Sequence, residues 1–243
     1  MVDFTKSKMN QFIYKDWNIY FSRNNDNRLD LDFSKETQLS FAERSLIFPS
    51  IREFQKGEGS DGRYLLEAAE KSADKWGIPE YFESMQWFVG EENWHSAYLR
   101  KYMDFYDVKV KERSFLDKVF RKLRQLGGLK CEVTVLVTAE MIALTYYDAL
   151  AESTDSSALK SICAQMLRDE IPHIMFQSYT LSHFTNCAVD KWMRILLMEI
   201  TLLFVWGAFH EVYQAGGYSF AKFLKENLGY LRQSILLVER ENR

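Results

Sequence analysis

Two of the four histidines in this 243-residue chain stand three residues after a glutamate. The segment EENWHSAYLRKYM, residues 91–103, sets His95 after Glu92, and DEIPH, residues 169–173, sets His173 after Glu170. On a helix this spacing places the two side chains on one face, one turn apart, so a carboxylate and an imidazole are offered to the same point. One such pair is ordinary on a helix surface. Two pairs that use half of all the histidines call for a shared chemical reason.

Helical periodicity supplies it. In the first paired segment the apolar line runs Tyr81, Met85, Phe88 and then Glu92, His95 and Leu99; in the second it runs Ile162, Met166, Glu170, His173 and Gln177. Two further lines read Val133, Leu136, Glu140, Leu144, Tyr147 and Ile51, Phe54, Glu58, Gly62, Leu65, Ala69. Each of four helices thus directs one carboxylate inward, and two add an imidazole. Buried carboxylates persist only when paired, protonated or bound to metal. Four carboxylates balance the charge of two ferrous ions, and a Glu from each of two helices plus a Glu-x-x-His from each of two others is a dinuclear carboxylate pattern. Oxygen donors completed by imidazole suit two iron ions, or manganese or a mixed Mn/Fe pair, over thiolate-preferring metals. The expected ligands are Glu58, Glu92, His95, Glu140, Glu170 and His173. Glu53 and Glu67 compete with Glu58 for the first-helix position but fall off the apolar line, whereas Glu58 stands between Gly57 and Gly59. His183 and His210 read as ordinary core or surface residues.

The elements that must carry these residues are helical throughout, with three prolines and few strand-like alternations. A short amphipathic helix is predicted over 10–22, then a polar loop, then a helix from Leu39 that bends or breaks at Pro49 and continues from Ser50 to Trp76. Further helices are predicted over 80–104, in a charged connector, and over 131–151, 158–184, 188–214 and 218–240. No linker divides the chain, so a single domain over 1–243 is expected, with its bundle core at about 45–185. Pro172 lies between Glu170 and His173, where a bulge or kink is expected. A formal charge of −3 without a basic stripe gives no support for nucleic-acid binding. Cys131, Cys163 and Cys187 read as buried thiols in a reducing compartment. The N-terminal MVDFTKSKMNQFIYKDW lacks the apolar run of a signal peptide, so a cytoplasmic location is expected. The apolar stretch from Ile195 to Phe209 is too short to span a bilayer, contains Glu199, and reads as a buried helix.

At these residues the chain resembles the ferritin-like diiron-carboxylate superfamily. EENWHSAYLRKYM is similar to the first Glu-Glu-Asn-x-His segment of soluble acyl-carrier-protein desaturases, DEIPH to their second, and KGEGSDGRY to the Gly-Glu-Ser first helix of rubrerythrins. The likeness covers about residues 45–185 and implies an all-α, ferritin-like four-helix bundle with extra helices at both ends. Two departures bear on activity: Ala143 stands where such desaturases carry a threonine, and no rubredoxin-like cysteine quartet follows the bundle. The expectation is an oxidase or oxygenase that activates O₂ on a small apolar substrate, fed by an external electron donor, as a monomer or homodimer without a membrane span. An iron-handling ferroxidase is the alternative. Asp169 and Glu91, each just before a ligand glutamate, are expected to hold His95 and His173 respectively across the bundle. The lining is expected from Phe54, Met85, Phe88, Ala143, Tyr147, Met166 and Phe176.

Overall fold

The computed structural model describes residues 1–59, 62–111 and 127–241. Two short 3₁₀ turns lead into α1 (Tyr14–Asn25), followed by α2 (Phe41–Glu58), α3 (Arg63–Trp76), α4 (Pro79–Phe105), α5 (Gly128–Glu152), α6 (Ser157–Ser182), α7 (Ala188–Ala215) and α8 (Phe220–Glu241). No strand occurs among the described residues. The chain is all-α, as its composition predicts; the charged connector lies outside the described residues.

Local chemistry sets the helix limits. The Ser40 hydroxyl accepts the Glu43 amide at 3.1 Å to open α2, and Ser156 accepts the Leu159 amide at 3.0 Å to open α6. Pro79 occupies the first turn of α4, where its missing N–H costs nothing, and Gly77 closes α3 in the left-handed region at φ 69°.

Neither Pro49 nor Pro172 interrupts its helix. Helix α2 continues unbroken through Pro49, with the Ser50 hydroxyl donating back to the Ile47 carbonyl at 2.9 Å. The chain breaks instead after Glu58, where Gly59 caps α2 and Gly62 takes φ 64°. The predicted single helix over 50–76 is therefore two helices, because glycine adopts a left-handed turn at little cost whereas packing on both sides of Pro49 holds the helix together. Helix α6 likewise stays α-helical on both sides of Pro172, with no π-turn beside the Glu170–His173 pair.

Helix α4 is the hub. It packs on α1, α2, α3 and α6, while α5 and α6 form the most extensive pair and α3 also meets α5. The C-terminal helices lie outside this group, α7 on α5 and α2, and α8 on α5 and α6. The expectation for residues 195–209 is corrected as well. Helices α5 and α7 are both long and apolar enough to cross a membrane, but the most apolar stretch of α5 is 78% buried and that of α7 only 33%. One face of α7, including Met198, Leu202 and Val205, packs inward, and the opposite face is open. The three cysteines also differ from expectation: Cys163 is buried, Cys131 half-buried, and Cys187 exposed, because it caps α7 in the connection after α6.

The break between α2 and α3 fits tightly against α4. A Cβ on Gly62 would meet Val89 Cγ1 at 2.6 Å, and one on Gly59 would meet the Ser96 hydroxyl at 2.7 Å. Gly62→Ala combines an unfavourable φ with a clash, so it is expected to destabilise the fold by about 1–3 kcal/mol in urea unfolding. A change in the midpoint too small to resolve would show that the turn relaxes freely.

Candidate metal centre

All six expected residues converge in the space between α2, α4, α5 and α6. Glu170, His95 and His173 are fully buried and Glu140 nearly so, while the Glu92 side chain keeps 14% of its surface exposed. One ligand atom from each of Glu92, His95, Glu170 and His173 lies within 4.8 Å of the others. His173 Nδ1 stands 3.0 Å from Glu92 Oε1 and 3.3 Å from Glu170 Oε2; His95 Nδ1 stands 3.5 Å from Glu170 Oε1 and 3.8 Å from Glu92 Oε1. None of these approaches is aligned as a hydrogen bond. Glu92 Oε1, both Glu170 oxygens and both Nδ1 atoms are left without a hydrogen-bond partner in a water-excluded core. Buried polar atoms rarely go unsatisfied, and these five form a donor set that could hold a metal ion.

Glu58 and Glu140 complete the ring. Burial raises the Glu58 carboxyl well above the usual carboxylate range, and the neighbouring Glu92 and Glu170 push it further. Glu140 is raised by the same causes in the same order. The competitors lie elsewhere: Glu53 pairs with Lys111, and Glu67 pairs with Arg63 at 3.1 Å on the surface. Tyr147, expected only as lining, donates its hydroxyl to Glu58 Oε1 at 2.7 Å. Of the other expected lining residues, Met85, Phe88, Ala143, Met166 and Phe176 are buried, and Phe54 is half-buried and stacked on Tyr146. The Phe88 ring meets His173 edge-on at 4.8 Å between centroids.

The outer faces of the two imidazoles are held as the sequence suggests. His95 Nε2 lies 3.0 Å from Asp169 Oδ2, and His173 Nε2 lies 2.8 Å from Glu91 Oε2. Each ring therefore gives Nε2–H to a carboxylate and turns Nδ1 toward the centre, which is how a ligating histidine is usually oriented. Burial alone would lower both imidazoles. The Asp169, Glu170 and Glu92 carboxylates outweigh it for His95, and Glu170, Glu91 and Glu92 raise His173 further still. Burial would raise Asp169, but its contact with His95 holds it below the usual range. The His173 and His95 side chains do the same for Glu92.

One participant escapes a reading of the paired motifs. Asn24, from the last turn of α1, donates one amide N–H to Glu91 Oε1 at 2.6 Å and the other to Asp169 Oδ1 at 3.1 Å. Both acceptors are carboxylate oxygens, so the amide's orientation is dictated by chemistry. Gln165 adds two contacts to Asp169 at 2.8 and 3.0 Å, and Arg168 holds Gln165 at 2.6 Å. A single amide thus ties together the two acids that orient the two histidines. No periodicity marks Asn24, which sits in the polar sequence SRNNDNR.

No protein-family model, curated protein or solved structure matches this chain.

Two outcomes are expected here. Asn24→Leu keeps side-chain size but removes both N–H donors, and should weaken Mn(II) or Co(II) binding by roughly 10–100-fold, the usual effect of losing a group that orients a ligand. Competition titration measures it, with thermal unfolding as a check on folding. The second concerns pH. In the metal-free protein Glu58, Glu140, His95 and His173 hold protons more tightly than in the unfolded chain. The stability they contribute is present below their unfolded values and is lost as pH rises from about 4.3 through and beyond about 6.5. Glu92 and Asp169 are lowered and act at the acid end, where their stabilisation is lost as pH falls below about 4. The Tm of chelator-treated protein should therefore peak at mildly acid pH and decline toward pH 8, and divalent metal should reverse that decline.

Proposed function

We propose that the chain is a dinuclear metal oxidoreductase of the ferritin-like four-helix type, acting on a small apolar substrate with O₂. The observation that carries this reading is the set of five buried, unsatisfied ligand atoms on Glu92, His95, Glu170 and His173. Glu58 and Glu140 bring the donor set to four carboxylates and two imidazoles, whose charge suits two divalent ions. Iron fits these donors, and manganese or a mixed pair fits them too. Such a pair, when reduced, supplies the electrons for O₂ reduction, and an external donor would restore them.

The chain's own residues have separate tasks in this reading. Glu92, His95, Glu170 and His173 would hold the metals, with Glu58 and Glu140 closing the set from α2 and α5. Asp169 and Glu91 fix the imidazoles, and Asn24 fixes Asp169 and Glu91. Phe88, Met85, Met166 and Phe176 keep water away, which favours chemistry on an apolar group over uncoupled loss of oxidant. The Tyr147 hydroxyl donates to Glu58 and steadies that carboxylate when it ionises. A cytoplasmic setting suits an oxidoreductase that needs a supply of electrons.

Metal analysis after anaerobic reconstitution is expected to find close to two iron or manganese ions per chain, and Glu170→Ala should lose most of them. Aerobic ferrous titration should then consume O₂ about once per site, faster with an apolar substrate present. Ferrous uptake continuing far beyond two ions per chain would instead identify an iron-handling ferroxidase. Failure to bind metal at all would leave a metal-free helical protein and end the reading.

A further inference from the structure

Helix α7 presents an apolar seam to the outside. Val189, Met193, Leu196, Ile200 and Leu203 are between 46% and 67% exposed, and they recur at intervals of four, three, four and three residues. That alternation is the seam of a two-helix coiled coil, narrower than the all-round apolarity of a buried helix. Trp192, 70% exposed, and Phe204, 58% exposed, widen the seam on its two sides. The next position in the repeat is Gly207, followed by Ala208, both exposed and small, just before the kink at Phe209.

We infer that this face of α7 joins two copies of the chain in an antiparallel, two-fold helix pair centred near Ile200. The exposed seam amounts to roughly 800 Å² of apolar surface per chain, above the largest patch of a typical monomer and about what one partner contributes to a stable interface. The seam is also graded in size. Bulky Trp192 and Met193 lie at its N-terminal end and small Gly207 and Ala208 at its C-terminal end. Two copies running in opposite directions place the large end of each over the small end of the other, with Leu196 facing Phe204. A parallel pair would stack Trp192 on Trp192 and leave a gap at Gly207. Self-complementarity of this kind is what a two-fold interface requires.

Charge argues against a lipid surface as the occupant. Helices that lie on membranes carry Lys and Arg along the polar flank, whereas the exposed charges bordering this seam are Lys191, Glu199 and Glu211. The inward face of α7 is already committed to α5, α2 and α8, so the helix cannot enter a bilayer without dismantling the fold. Glu199 flanks the seam close to the two-fold axis and sits at its solvated rim, where like charges cost little.

Sedimentation of the full chain over a concentration series tests the pairing. The wild type is expected to be a dimer at about 10 µM, a modest demand on an interface of standard size. Leu203→Lys, at a solvent-facing position, should be monomeric there with its far-UV spectrum and Tm retained. Orientation is read by thiols. Ile200→Cys should form a disulfide-linked dimer under mild oxidation. The native Cys187 should not, because opposite ends of an antiparallel pair separate the two copies by about 40 Å. A wild type that stays monomeric, or a Leu203→Lys variant that dimerises as well, overturns the inference. Efficient Cys187 cross-linking in the wild type overturns the antiparallel arrangement, and binding of the monomer to neutral phosphatidylcholine vesicles shows lipid to be the occupant instead.

Discussion

Mutual repulsion among buried carboxylates is the constraint around which this protein is organised. Four glutamates from α2, α4, α5 and α6 face one water-poor space, and two of them, Glu58 and Glu140, are driven toward their neutral forms by burial and by their neighbours. The imidazoles of His95 and His173 offset part of that charge by holding protons. A structure tuned for stability alone would fill this space with aliphatic side chains, since replacing buried ions with well-packed apolar groups is often neutral or stabilising. The retained charge is that of a cluster that could hold a metal ion.

The surrounding fold can be understood as the means of tolerating that cost. Glu91 and Asp169 accept from the outer nitrogens of the two histidines, and Asn24 joins those acids to each other. This gives α1 a role beyond covering the hub helix, because its last turn completes a hydrogen-bond chain from solvent-facing Arg168 through buried Gln165 to the imidazoles. Networks with every outer atom satisfied are rigid, and a half-satisfied one is worse than an apolar core. Here the satisfied atoms lie outside and the unsatisfied ones inside. That division separates support from binding. The aromatic packing of Phe88 and Phe21 against His173 adds a second, apolar restraint on the same ring.

The ligands take different positions along their helices. Helices α4 and α6, which carry the Glu-x-x-His pairs, are long and continuous, and α6 absorbs a proline without losing helical form. Glu58 is placed differently, at the last residue of α2 and next to a glycine turn. The other five ligand groups thus sit within continuous helices and the Glu58 carboxylate at a helix end, where backbone adjustment is easiest.

Much of the site was legible in residue types and spacing because helical geometry is local. A three-residue interval fixes which side chains share a face, and an acidic residue on an apolar line is conspicuous, so Glu92, His95, Glu140, Glu170 and His173 stand out without coordinates. The pairing of Asp169 with His95 and of Glu91 with His173 followed from the same register, since antiparallel helices bring matched positions together. What spacing cannot express is long-range encounter. Asn24 reaches Asp169 across 145 residues and comes from a polar run with no periodic signal, so only packing of α1 against α4 reveals it. Apolarity likewise does not say which apolar residues are covered. The stretch at Ile195–Phe209 reads as core from composition, but α5 and its neighbours cover only one side of α7, and the number of helices available to bury a face is settled by the tertiary structure alone.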